Sequence, residues 1–73
     1  MTIEELLEAL PYALLIKGEA YKLQLSKLSG KKLDGIWEVR YWTNNGYDFT
    51  HHTGSLRDSL EAVHQDLKDN TLI

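Results

Sequence analysis

Three histidines are the residues of this chain best suited to chemistry: His51, His52 and His64. Together with Asp48 or Asp66 they make a set of imidazoles and carboxylates of the kind that holds zinc or nickel. The spacing argues against such a site. His51 and His52 are adjacent on a segment that reads as a strand, where successive side chains point to opposite faces. Only one of them can then join His64, which falls on a helical segment. The sequence therefore predicts no metal site and no cofactor, with His51 closing the edge of the core and His52 and His64 near solvent.

Nucleophilic chemistry fares no better. Ser26, Ser29, Ser55 and Ser59 are accounted for by turns and helix capping. No nucleophile elbow, phosphate-binding glycine loop or HExxH pattern occurs. With 73 residues and no cysteine, the chain lacks thiolate ligands and has little room for a deep pocket. The expectation is a non-enzymatic protein.

The elements that position these residues can be read from periodicity. Thr2 and Glu5 form a capping box, and Ile3, Leu6, Leu7 and Leu10 recur at helical spacing until Pro11 stops the run. Tyr12 to Lys17 is a short apolar run that reads as a buried strand, although a helix fits its length as well. From Ala20 the pattern alternates, with Tyr21, Leu23 and Leu25 against Lys22, Gln24 and Ser26. A polar loop from Ser29 to Gly35 follows, then a strand from Ile36 to Thr43 in which Trp37, Val39 and Tyr41 alternate with Glu38, Arg40 and Trp42.

Asn44-Asn45-Gly46 predicts a hairpin. A two-residue Asn45-Gly46 turn would place Asp48, Thr50 and His52 on the apolar face, whereas a three-residue loop places Tyr47, Phe49 and His51 there. The three-residue loop gives one consistent apolar face and is preferred. A last helix starts at Ser55, with Leu56, Leu60, Val63 and Leu67 as its stripe and Asn70 as its C-cap.

The order predicts a single α+β domain over residues 1–73. It has two layers: an N-terminal helix, an antiparallel sheet of three or four strands and a C-terminal helix, both helices on one face. The opposite face then shows Lys22, Glu38, Arg40, Trp42, Asp48 and His52. Trp and Arg together are enriched at binding hot spots, so these six residues are the candidate partner-binding set. The alternative is a nucleic-acid surface of Lys27, Lys31, Lys32 and Arg40, with bases stacking on Trp42.

Charge divides the chain. Residues 1–10 carry three carboxylates, residues 11–47 six cations against three carboxylates, and residues 48–73 five carboxylates against two cations. The net charge of -3 and the interruption by Glu38 and Asp48 weigh against nucleic acid as the first choice. A hydrophobic fraction of 42% excludes a disordered chain, while no apolar stretch is long enough to span a bilayer. The acidic start lacks the basic residues of a secretory signal, and absence of cysteine fits a reducing compartment, so a cytoplasmic location is expected.

Two likenesses accompany this reading. The helix–strands–helix order resembles the double-stranded-RNA-binding fold, which implies an RNA partner, but the last helix opens Ser55-Leu56-Arg57-Asp58 without the basic start that such domains use. From Tyr47 to Asp69, a strand, Thr53-Gly54-Ser55-Leu56 and a helix with Leu60 and Val63 resemble the end of HicB-type antitoxin cores, which implies an antitoxin-type domain. The Pro-containing strand segment usual before that tail is absent. The sequence by itself favours a small protein-binding module, an inhibitor, adaptor or accessory subunit of the scale found in phage and mobile elements. A second copy of the chain is a further partner to consider.

Overall fold

A computed structural model describes residues 1–27 and 36–73. The elements follow in the order α1 (Ile3–Ala9), β1 (Ala13–Ile16), β2 (Glu19–Lys27), β3 (Trp37–Thr43), β4 (Gly46–Thr53) and α2 (Leu56–Asp69). The strands form one antiparallel sheet in the order β1-β2-β3-β4. The α+β architecture is thus as expected, with four strands among the described residues, the larger of the two numbers the sequence allows.

Helix α1 starts as its capping box dictates. Thr2 Oγ1 accepts from the Glu5 amide at 3.1 Å, and the Thr2 amide donates to Glu5 Oε1 at 2.9 Å. Leu10, ahead of Pro11, is already extended and caps the helix. The stripe is narrower than its periodicity suggests. Leu6 and Leu10 are buried while Ile3 and Leu7 remain exposed, because α1 packs against α2 rather than into the sheet.

Helix α2 supplies the layer that closes the core. Ser55 Oγ accepts from the Asp58 amide at 3.1 Å, and Leu60, Val63 and Leu67 are buried against Val39 and Tyr41 of β3. Tyr21, Leu23, Leu25 and Phe49 pack around that cluster, so the predicted apolar face of the sheet is the one that meets the helices. Tyr41 is fully buried and its hydroxyl donates to the Pro11 carbonyl, tying the middle of the sheet to the α1–β1 junction. Burial pushes the Tyr41 phenol up to about 12.

Two expectations need correction. The run after Pro11 is a strand, but not a buried one. Only Leu14 is enclosed, and Leu15 is 75% exposed, because β1 lies at the edge of the sheet. Lys17 and Gly18 both take positive φ in the two-residue turn that joins it to β2, the backbone a tight hairpin demands.

The β3–β4 hairpin also differs. Its connection is the two-residue Asn44-Asn45, with Thr43 paired to Gly46, whose φ of +150° suits glycine. Trp42 faces Tyr47 and Tyr41 faces Asp48; the register then shifts, so that Val39 faces His51 and Trp37 faces Thr53. Phe49, at φ +52°, is the bulged residue, and its amide is held by Asp48 Oδ1 at 2.8 Å. A bulge adds one residue and changes face parity, so neither uniform register holds along the whole hairpin.

Candidate functional site

Because α2, with α1 packed against it, covers one face of the sheet, the other face carries side chains with no second layer over them among the described residues. Its centre is built by alternation along β2 and β3. Lys22 pairs with Trp42, Gln24 with Arg40 and Ser26 with Glu38. The next strand adds Tyr47 beside Trp42 and His52 beside Glu38.

Arg40 is held from three sides. Its Nε donates to Gln24 Oε1 at 2.8 Å, and Nη1 lies 3.3 Å from Glu38 Oε1. The guanidinium carbon sits 4.9 Å from the centre of the Tyr47 ring, a cation–π arrangement. The Arg40 side chain nevertheless stays 29% exposed, against 16% for Glu38, so part of its donor fork still faces outward. Next to this cluster, Ala20, Lys22, Trp42, Thr43 and Asn44 line a shallow hollow of about 100 Å³. The Lys22 side chain is exposed at its rim, and Asn45 Nδ2 donates to Glu19 Oε1 at 2.6 Å, linking the two hairpin ends above it.

Five of the six predicted residues, Lys22, Glu38, Arg40, Trp42 and His52, therefore share this face. Asp48 does not. It stands opposite Tyr41, on the helix side of the sheet, because the bulge lies beyond it and not before it. Tyr47 takes its place on the outer face, which the three-residue loop had assigned to the core side. No feature of the sequence marks Phe49 as a bulged residue, and this omission moved Asp48 and Tyr47 to the wrong faces.

The alternative basic surface does not form one patch among the described residues. Lys27 pairs with Trp37, in phase with Leu25 and Val39, and so belongs to the face opposite Arg40. Lys31 and Lys32 lie outside the described residues.

The histidines separate. His51 faces the helices and its Nε2 lies 3.0 Å from Asp66 Oδ2, joining β4 to α2. His52 is exposed on the outer face, and His64 lies on α2 beside a hollow of about 260 Å³ that it lines with Met1, Leu6, Glu61 and Gln65. Among the described residues no three His, Asp or Glu side chains gather as metal ligands do. No helix among them is long and apolar enough to cross a membrane.

The chain matches no protein-family model, no curated protein and no solved structure.

Proposed function

We propose that this protein is a non-enzymatic binding module that occupies a partner protein's surface with the outer face of its sheet. The observation that carries the reading is the fixed position of Arg40 between Gln24, Glu38 and the Tyr47 ring, beside Trp42. A long side chain already ordered before association loses less entropy on binding, and Arg with aromatic neighbours is the usual make-up of an energetic hot spot. Exposed Lys22 beside the Trp42 hollow, which Thr43 and Asn44 also line, favours a partner that presents carboxylates. Glu38 neutralises part of Arg40, which makes a phosphate backbone the weaker match.

The test is affinity capture of tagged wild type, Trp42→Ala, Arg40→Ala and Lys22→Glu from a lysate of the native source split into nuclease-treated and untreated halves, with Glu61→Ala on α2 as the control. Each Trp42 or Arg40 substitution is expected to weaken retention of the same protein at least about tenfold, roughly 1.4 kcal/mol. Lys22→Glu, on an exposed side chain, separates loss of binding from loss of folding. Equal retention by all variants rejects the face; loss of every partner upon nuclease treatment moves the assignment to nucleic acid.

A further inference from the structure

The two edges of the sheet are not alike. Strand β4 carries a bulge at Phe49 and lies under α2, and both devices keep an edge from pairing. Strand β1 has neither. Its residues, Ala13-Leu14-Leu15-Ile16, include no charge, no proline and no bulge, and among the described residues only β2 lies beside it.

The phase of its hydrogen bonds can be derived. The Leu23 amide donates to the Tyr12 carbonyl at 2.9 Å, and Ile16 pairs with Glu19 across a two-residue turn. Tyr12, Leu14 and Ile16 thus direct their main-chain groups toward β2, while Ala13 and Leu15 direct theirs outward. The two flanking side chains are conspicuous in a chain this small, Leu15 being 75% and Tyr12 73% exposed.

We propose that β1 is a self-pairing edge that takes a second copy of this chain, with Ala13 of each copy opposite Leu15 of the other. The outward groups of Ala13 and Leu15 are symmetric about Leu14. A two-fold axis there lets both copies exchange all four N–H groups and carbonyls, the self-complementary form of a two-fold interface. Residues of equal parity oppose one another, so both helix layers remain on one side and the two sheets continue as one of eight strands. Leu15 then covers Ala13 of the other copy, and Tyr12 meets Ile16.

Charge selects the occupant. A neutral strand offers nothing to an acidic or basic partner, and in this register Lys17 stands across from Pro11 rather than from a like charge. An edge of four residues buries less than the roughly 1,200 Å² of a standard interface, so the dimer is weak and reversible, with a dissociation constant on the order of 100 μM. This edge stands or falls independently of the Arg40–Trp42 reading.

Sedimentation equilibrium of the full chain from about 10 μM to about 1 mM tests it, a range that brackets a weak interface. The mass is expected to rise from 8.4 kDa toward twice that value. Amide exchange at Ala13 and Leu15 is expected to slow with concentration while other exposed amides keep their rates. Ala13→Pro removes an outward N–H and no hydrogen bond to β2, and Leu15→Lys brings two ammonium groups together across the axis; both are expected to stay monomeric with an unchanged circular dichroism spectrum. A wild type that remains at 8.4 kDa throughout overturns the proposal. So does a dimer whose Ala13 and Leu15 amides exchange at the monomer rate, or one that persists in both folded variants.

Discussion

Two buried hydroxyls have opposite consequences. Ser59, on the inner face of α2, donates to the Trp37 carbonyl at 2.8 Å and accepts from the Thr53 amide at 3.0 Å. Removing it leaves two main-chain groups unpaired in a buried place. Ser59→Ala is expected to lower unfolding free energy by about 2–3 kcal/mol in urea titration. Thr50 is the reverse case, since its Oγ1 is buried with no partner among the described residues. Thr50→Val keeps the shape and drops an unsatisfied group, and the same titration is expected to show a gain of about 1 kcal/mol. Sequence reading assigned Ser59 to capping, because nothing in a serine's spacing tells which hydroxyl will meet a carbonyl from a strand 22 positions away.

Tyr41 gives a pH signature at the same scale. Its folded pKa, about 12, exceeds the ordinary 10.0, so the folded chain keeps a proton that the unfolded chain releases. Its contribution is intact below pH 10 and is lost as pH rises from about 10 through about 12. Urea midpoints measured at pH 8 and pH 11 are expected to fall further for wild type than for Tyr41→Phe. An equal fall in both would contradict the burial of this phenol.

At the scale of elements, helices were legible because their signals are local. The capping box of α1, the Pro11 stop and the Ser55 and Asn70 caps of α2 are fixed by residues three or four apart. The C-terminus of α2 holds one further feature. Leu72 N donates to Leu67 O at 2.9 Å and Thr71 N to Lys68 O at 3.0 Å, a Schellman motif with Thr71 at φ +60° in the position that favours glycine. Thr71→Gly removes a β-branched side chain from the left-handed region and is expected to raise stability by about 1 kcal/mol, read as an upward shift of the thermal midpoint. The β3–β4 hairpin was legible only in part. Alternation located the strands, but pairing across them depends on the Phe49 bulge, which arises from long-range fit and leaves no mark in composition.

For the whole molecule, one apolar face per element was enough to predict two layers with both helices together. Among the described residues that same packing leaves Lys22, Arg40, Trp42, Tyr47 and His52 without a layer over them. Lys22, Glu38, Arg40 and Trp42 share that face because β2 and β3 alternate without interruption, and His52 joins them from β4 beyond the bulge. Lys27 lies three positions along β2 from Gln24, the partner of Arg40, so strand alternation places it on the opposite face, while Lys31 and Lys32 lie outside the described residues.

We propose that the outer sheet face, not the helical layer, meets the partner. The most direct test places a photo-reactive phenylalanine analogue at Lys22 or at Glu61, each in turn, in protein otherwise unchanged. Irradiation in nuclease-treated native lysate is expected to give one discrete protein adduct from position 22 and none from position 61. An adduct from position 61 alone, or nothing from position 22 while the tagged protein still retains its partner, would rule out the outer face as the contact surface.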